Sequence, residues 1–300
     1  MRYSANEIKN ILDSNNFIVS KSTLKHPEYT IEHCLTDSRQ VSFMDTTLFV
    51  ALETNTGSGH KYVEELYKQG VKNFLISIWD KSYEHFDANF FLVDNTLKAL
   101  QALAMYHRDN FIHGAELFRF PIIGVTGSNG KTIVKEWLYQ LLKDKFNCCR
   151  SPKSYNSQIG VPLSVLNLNE NHNLGIFEAG ISQTNEMERL AMIIKPKIGI
   201  ITNIGNAHNA GFHSIEEKIE EKIKLFYTAD TVICPSKYGI EKYFEKKLTQ
   251  LITWGINDEN AVINVEKQVL DNATIVKFEY NNRSYEYKIP FTDEASIENA

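Results

Sequence analysis

A glycine-rich stretch constrains the possible fold of this chain more than any other feature of its sequence. Residues 122–125 form an apolar run, residues 127–132 read Gly-Ser-Asn-Gly-Lys-Thr, and a helical pattern follows from residue 131 to about residue 143. Glycines let backbone N–H groups close on phosphate groups, and a helix N-terminus favours negative charge. Strand, glycine loop and helix in this order predict a phosphate-binding loop in an α/β sheet.

The loop supplies chemical groups suited to ATP and Mg²⁺. Lys131 would reach the β- and γ-phosphates, and the hydroxyl of Thr132 would bind Mg²⁺. The other loop residues expected to contact the nucleotide are Thr126, Gly127, Ser128, Asn129 and Gly130. The strict phosphate-loop pattern has its first glycine where this chain has Val125. An ordinary glycine turn between a strand and a helix is therefore the alternative.

Strands and helices alternate along most of the chain, which predicts an α/β fold with a doubly wound, mostly parallel sheet. We expect a small α/β domain at residues 1–112, followed by the glycine-loop domain at residues 113–300. Residues 273–280 and 284–289 flank Asn281 and Asn282, which predicts a β-hairpin near the end. Residues 296–300 resemble the start of a helix, so we expect the chain to be part of a longer protein.

Composition narrows the functional classes. The net charge of −5 argues against nucleic acid or an anionic membrane as the main partner. No apolar run reaches the roughly 18 residues of a membrane-spanning helix, and the N-terminus lacks the apolar core of a signal peptide. The four cysteines have no CxxC spacing, which gives little support to a zinc site. We expect a cytoplasmic protein without membrane insertion.

Polar side chains follow two further predicted strands. Glu178 ends the strand at residues 174–177, and His208 follows the strand at residues 198–202. Ligands bind beyond the carboxyl ends of parallel strands, and Mg²⁺ prefers oxygen, so Glu178 is the easier ligand. Alternatively, Glu178 caps a turn and His208 lies at the surface. Lys222 belongs to a highly charged helical stretch, which predicts a solvated lysine.

Four segments together resemble the Mur ligase family of peptidoglycan synthesis, over nearly the whole chain. The Asp-Ser-Arg sequence at residues 37–39, residues 48–52 and Gly59-His60 are similar to the family's uridine-nucleotide domain. Residues 124–132 are similar to its ATP loop, and residues 155–163 to its substrate-side loop. Residues 201–208, with the helix to Phe226, are similar to its metal and lysine segment.

The resemblance implies a role for each matching residue. Glu178 and His208 would bind a second Mg²⁺ together with Lys222, which would be carbamoylated by CO₂. Lys131, His208 and Lys222 would be catalytic, and Asn299 would lie near the adenine. The residues expected at the substrate are Ser38, Arg39, His60 and Asn156. The chain departs from the usual family pattern at Ser157-Gln158, at Lys224 and at Ala295-Ser296.

The implied activity is ATP-dependent ligation, closest to the family members that join D-alanyl-D-alanine to UDP-N-acetylmuramoyl-tripeptide. The tripeptide carboxylate would attack the γ-phosphate of ATP, and the amine would displace phosphate from the acyl phosphate. The family's C-terminal ligase domain is missing from these 300 residues, so we expect them to be inactive alone. Some bacterial relatives are also fused to an alanine racemase. These residues show no pyridoxal-phosphate lysine site, so a fusion to a racemase domain beyond residue 300 stays open.

Three alternatives compete with this function. The first is a Mur ligase that adds the third peptide residue, but Asn206-Ala207-His208 differs from its Asp-His. The second is a folylpolyglutamate synthase, which lacks a uridine-nucleotide domain. The third is a nucleotide-binding scaffold without catalysis, which amine-dependent phosphate release would exclude.

Overall fold

The computed structural model describes residues 1–17, 22–55, 57–113, 121–205, 211–244 and 249–300. The chain divides into two compact units. The first comprises Met1–Glu116 and Pro162–Asn169, and the second comprises Leu117–Val161 and Glu170–Ala300. The segment Pro162–Asn169 thus groups with the first unit, although it lies about 50 residues beyond the domain boundary expected at residue 112. Each unit is a mixed α/β structure with a parallel sheet, which confirms the predicted fold class.

The first unit is built on the parallel sheet β3-β4-β7-β8. Helix α1 begins at a capping box formed by Ser4 and Glu7, and α2 ends at Gly70 in the left-handed conformation. Its elements are β1 (Tyr3–Ser4), α1 (Ala5–Ser14), β2 (Thr30–Ile31), β3 (His33–Leu35), β4 (Thr47–Val50), β5 (Glu53–Thr54), β6 (Gly57–Ser58), α2 (Val63–Gln69), β7 (Asn73–Ile76), β8 (Asn89–Leu92) and α3 (Thr96–His113).

The second unit contains a nine-stranded sheet in the order β10-β11-β9-β12-β13-β14-β15-β16-β17. The strands from β10 to β15 run parallel, and β16 and β17 add antiparallel. Its elements are β9 (Ile122–Thr126), α4 (Lys131–Leu142), β10 (Cys148–Arg150), β11 (Leu174–Glu178), α6 (Met187–Ile194), β12 (Ile198–Ile201), α7 (Ile215–Ile223), β13 (Thr231–Pro235), β14 (Gln250–Ile256), β15 (Ile263–Val269), β16 (Thr274–Tyr280), β17 (Arg283–Ile289) and α8 (Glu294–Asn299). Helix α5 (Gly160–Val165) begins in this unit, and its residues from Pro162 onward group with the first unit.

The predicted hairpin forms, and it extends the edge of the main sheet. Its two-residue turn consists of Asn281 and Asn282, with φ of 52° and 59°. Asparagine tolerates this left-handed conformation, and two such residues match the twist of the flanking strands. The sequence therefore identified the hairpin of β16 and β17. Its attachment to the parallel sheet is visible only in the structure, where β16 pairs with β15 and β15 pairs with β14.

An aromatic side chain directly after helix α7 packs against the sheet. The sequence pattern is helical over residues 215–227, but the α-helix ends at Ile223, and a 3-10 turn, Lys224–Phe226, follows. Phe226 is fully buried against β12, where a Cβ on Gly199 would lie 2.5 Å from its ring. The absence of a side chain at Gly199 lets the ring approach the backbone, which places one face of α7 toward the sheet.

None of the helices in the described ranges combines the length and the apolar character required to span a bilayer.

Candidate functional site

The glycine loop leaves β9 at the carboxyl edge of the sheet, between β11 and β12. Gly127 has φ of 154° and Gly130 has φ of 80°, and both approach neighbouring atoms closely. A Cβ on Gly127 would collide with the hydroxyl of Thr202, and a Cβ on Gly130 would collide with the amide oxygen of Asn299. Both positions therefore require glycine, and Asn299 of α8 lies directly beside the loop.

The end of the neighbouring strand β12 holds the loop from one side. The backbone N–H of Ser128 donates to the carbonyl of Asn203 at 2.7 Å, and the N–H of Asn129 donates to its side-chain oxygen at 2.9 Å. The hydroxyl of Thr202 donates to the carbonyl of Asn129. The sequence analysis assigned no role to Thr202 or Asn203. Their position directly after a strand beside the loop is the signal that could have identified them.

The beginning of α4 presents its charged and polar groups to the loop. Gly130 is the N-cap residue and offers no side-chain acceptor to the first turn, so N–H groups remain available at this helix end. The ammonium of Lys131 folds over the loop and donates to the carbonyls of Gly127 at 3.0 Å and Ser128 at 3.2 Å. Burial lowers the pKa of Lys131, and Glu178 offsets part of this shift. The arrangement suits an anion at the helix N-terminus.

Glu178 ends β11 as a fully buried carboxylate. Its Oε1 accepts a hydrogen bond of 2.8 Å from the side-chain amide of Asn156. Its Oε2 has no hydrogen-bond partner among the described residues, and the ammonium of Lys135 lies 3.7 Å from it. Lys135 is itself fully buried and donates to the carbonyl of Ser151 at 2.7 Å. The sequence analysis named neither Lys135 nor its pairing with Glu178.

The oxygen atoms near the loop fit the ligand preference of Mg²⁺. Glu178 contributes a buried carboxylate oxygen without a hydrogen bond, and Thr132 contributes a hydroxyl that lies 3.1 Å from the hydroxyl of Ser154. Mg²⁺ takes carboxylate, hydroxyl and water oxygens. Over the ranges that the structure describes, no three His, Cys, Asp or Glu side chains converge on one point. His208, the other expected ligand, lies outside the described residues.

The prediction of a solvated Lys222 is wrong. Its side chain is only 3% exposed, and its ammonium donates to the carbonyl of Gly127 at 3.0 Å. Burial, together with the positive charges of Lys131 and Lys218, lowers the pKa of Lys222 to about 7. The charged composition of α7 led to the prediction of a solvated lysine. The buried face of this helix nevertheless carries lysines as well as apolar residues.

Lys218, one helical turn before Lys222, is buried as well and was missed by the sequence analysis. Its side chain is 1% exposed, and its ammonium donates to the carbonyl of Gly205 at 2.9 Å. Three lysine ammonium groups, from Lys131, Lys218 and Lys222, therefore contact carbonyl groups of the glycine loop or of the segment after β12. This concentration of positive charge favours an anionic ligand.

In the first unit, Ser38 and Arg39 lie in the 3-10 turn Ser38–Gln40, after the end of β3. Arg39 is exposed and donates through Nε and Nη2 to the carboxylate of Asp37, at 2.9 and 2.8 Å. These hydrogen bonds, and one from the Arg39 backbone, lower the pKa of Asp37 to about 2. The guanidinium is thus oriented by a residue two positions earlier.

His60 has both ring nitrogens engaged. Its Nε2 accepts from the backbone N–H groups of Ser77 at 2.9 Å and Ile78 at 3.1 Å, so Nδ1 carries the proton and lies 2.8 Å from the hydroxyl of Ser58. Burial lowers the pKa of His60. The ring therefore links the 3-10 turn Gly59–Tyr62 to the end of β7, and this is its visible role in the structure.

Comparison with known proteins identifies the family. The Mur ligase middle domain matches residues 125–300, which is more than half of the chain. The chain belongs to the Mur ligase family. It is 35% identical over 227 residues to the UDP-N-acetylmuramoyl-tripeptide–D-alanyl-D-alanine ligase of Borreliella burgdorferi, covering 73% of this chain and 47% of that protein. It is 34% identical over 223 residues to the ligase of the same name from Bacillus subtilis, covering 73% and 45%.

Solved Mur ligase structures share the fold. MurF from Acinetobacter baumannii superposes with a TM-score of 0.84 at 21% identity, covering 100% of this chain and 63% of that one. The MurF ligase from Thermotoga maritima in complex with ADP gives a TM-score of 0.76 at 24% identity, covering 89% and 60%. The chain spans about half the length of the Borreliella and Bacillus ligases.

Proposed function

We propose that the whole protein is an ATP-dependent ligase that joins D-alanyl-D-alanine to UDP-N-acetylmuramoyl-tripeptide during peptidoglycan precursor synthesis. The Borreliella and Bacillus relatives are both named UDP-N-acetylmuramoyl-tripeptide–D-alanyl-D-alanine ligases, which supports this choice of substrates. The observation that carries the chemistry is the ammonium of Lys131, which folds over the glycine loop at the N-terminus of α4. A lysine at the beginning of a helix that follows a glycine loop favours a polyphosphate. These UDP-linked and amino-acid substrates also favour a cytoplasmic location for the protein.

The residues of the second unit would neutralise and position the phosphates. ATP supplies the phosphoryl group that converts the tripeptide carboxylate into an acyl phosphate, from which the amine of D-alanyl-D-alanine displaces phosphate. Lys131 and the N–H groups at the start of α4 would balance the charge on the transferred group. Asn299 lies beside Gly130 and would contact the nucleotide, and its place near the adenine stays a prediction.

Two Mg²⁺ ions complete the proposed site. Thr132 and the free oxygen of Glu178 would hold Mg²⁺, and His208 remains a further expected ligand. Asn156, expected at the substrate, binds the other oxygen of Glu178 and so leaves Oε2 available for a cation.

Lys222 is proposed to become a carbamate. Because its pKa is about 7, a large fraction of its side chain is the neutral amine near neutral pH. The amine nitrogen would form a bond to the carbon of CO₂ and release one proton to solvent, which leaves an anion able to bind Mg²⁺. A carbonyl resonance in the carbamate range after addition of ¹³C-bicarbonate, absent in Lys222→Ala, would support this. An identical spectrum in Lys222→Ala would contradict it.

The ligase assignment is tested by D-alanyl-D-alanine-dependent phosphate release. Lys131→Ala in the whole protein should lower turnover by roughly 10- to 100-fold, because it removes a charge-assisted contact to phosphate. Lys143→Ala, at the exposed end of the same helix, is the matched control and should leave turnover unchanged. Near-normal turnover in Lys131→Ala would contradict the site. ATP binding without amine-dependent release would favour a scaffold.

The first unit is proposed to bind the uridine end of the substrate through Ser38 and Arg39. The exposed guanidinium and its fixed geometry beside Asp37 support this role.

A further inference from the structure

Lys218 is a second buried lysine of α7, one helical turn before Lys222. Two neighbouring carboxylates of the helix make contacts of their own. Glu217 accepts from His213, and Glu221 pairs with Lys224 at 2.7 Å. Lys218 is 1% exposed, with its ammonium 5.7 Å from the centre of the Phe212 ring and 2.9 Å from the carbonyl of Gly205. A buried ammonium is costly unless its donors are used, so this carbonyl contact is an important part of its environment.

The carbonyl that Lys218 binds is part of a small network with the glycine loop. Gly205 accepts a second hydrogen bond of 3.2 Å at the same carbonyl, from the hydroxyl of Ser128. The backbone N–H of Gly205 in turn donates to that hydroxyl at 3.0 Å. Because the N–H of Ser128 is already bound by the carbonyl of Asn203, Ser128 is fixed through both its backbone and its side chain.

The spacing along α7 couples this network to Lys222. Residues four apart lie on the same helix face, so the ammonium groups of Lys218 and Lys222 extend from α7 one turn apart. Lys222 binds the carbonyl of Gly127 directly, and Lys218 binds Ser128 through Gly205. One helix face thus holds two successive residues of the loop.

We propose that Lys218 is a positioning residue of the glycine loop, which fixes Gly205 against Ser128 and thereby keeps the loop in the shape that receives a nucleotide polyphosphate. This inference rests on the proposed function, because it takes the loop to be the nucleotide site. Lys218 acts through Gly205 and Ser128, and it need not touch the nucleotide. Its loss should therefore weaken nucleotide binding more than substrate binding in the first unit.

The test compares Lys218→Met, Lys218→Arg and Lys197→Met in the whole protein, with the dissociation constant of Mg-ADP measured by calorimetry. Lys218→Met should weaken Mg-ADP binding by about tenfold or more, while Lys218→Arg, which keeps a donor and a charge, should recover most of it. Lys197→Met is the matched control, because Lys197 precedes β12 at the opposite end of the strand and pairs with Asp230 at the surface. Affinity for UDP-N-acetylmuramoyl-tripeptide should stay within about twofold in all three variants.

Ser128→Ala provides a second, smaller change that tests the same network. In the double variant, the two effects on Mg-ADP affinity should not be additive, because both substitutions disrupt the same network of hydrogen bonds through Gly205. Wild-type Mg-ADP affinity in Lys218→Met, or fully additive effects in the double variant, would overturn the inference. If Lys218→Met does not fold, unchanged Mg-ADP affinity in Ser128→Ala overturns it. Failure of the wild-type protein to bind Mg-ADP would instead overturn the proposed function.

Discussion

The two units of the chain differ in how they hold polar side chains after their parallel strands. In the first unit, the Arg39 side chain is 85% exposed and is oriented by Asp37, two residues earlier. In the second unit, Glu178 and Lys135 are fully buried, and Lys222 reaches a carbonyl 95 residues away in sequence. One region presents a locally formed motif to solvent, and the other buries a network assembled from distant segments.

This difference separates two ways of preparing a binding site. An exposed local motif contributes little to stability, so its residues can be selected for a ligand alone. A buried network strengthens each electrostatic contact by excluding water, but every member then depends on its partners. Substitutions in the buried network of the second unit should therefore affect stability as well as binding, whereas substitution of the exposed Arg39 should affect mainly binding.

The largest effect is expected for Lys135→Met in the second unit. It removes a buried cation and leaves the carboxylate of Glu178 without its nearby positive charge, which typically costs about 3–5 kcal/mol. Urea unfolding should show the loss. Lys143→Met, the same substitution at the exposed end of α4, is the control and should change stability by less than about 0.5 kcal/mol. A loss below about 1 kcal/mol in Lys135→Met would mean that the pairing is not a stabilising part of the site.

An intermediate effect on stability is expected for substitution of His107. This residue makes buried polar contacts in the core of the first unit. Its Nδ1 accepts from the hydroxyl of Tyr3 at 2.8 Å, and its Nε2 donates to the carbonyl of Leu168 at 2.9 Å. Burial is the main cause that lowers the pKa of His107 to about 4. The unfolded chain, with a pKa near the usual value of about 6.5, takes up the proton first as the pH falls.

The stability that neutral His107 contributes is therefore fully present above about pH 6.5. It declines as the pH falls from about 6.5 to 4, by about 3 kcal/mol in total. Unfolding free energies measured across this range in wild type and in His107→Gln should reveal it as a difference in slope. Equal slopes would show that His107 does not control the acid sensitivity of the first unit.

The smallest effect on stability is expected for Arg39→Ala, because solvent screens an exposed ion pair and holding its long side chain in place costs entropy. Calorimetric affinity for UDP-N-acetylmuramoyl-tripeptide should nevertheless fall by roughly tenfold or more, since a charge-assisted contact to the ligand is lost. Arg2→Ala removes another exposed arginine of the same unit, paired with Glu32, and should leave affinity unchanged. Equal affinities in the two variants would remove Arg39 from the proposed substrate site.

Local features of the structure were predictable from the sequence because they depend on neighbouring residues. The strand–loop–helix around Lys131, the capping box at Ser4 and the hairpin turn at Asn281 each follow from a few adjacent side chains. The bounds of α7 were less predictable, because the packing of Phe226 on Gly199 determines where the helix gives way to a 3-10 turn.

The glycine loop, the α/β alternation and the candidate residues Glu178 and Lys222 could all be identified from the sequence. The inward orientation of Lys222 and Lys218, the pairing of Lys135 with Glu178 and the contact of Asn203 with the loop are visible only in the folded chain. These features depend on burial, and burial depends on which distant segments cover a side chain. The charge pattern of α7 is the same for a solvated helix and for one packed on a sheet, and packing alone distinguishes them.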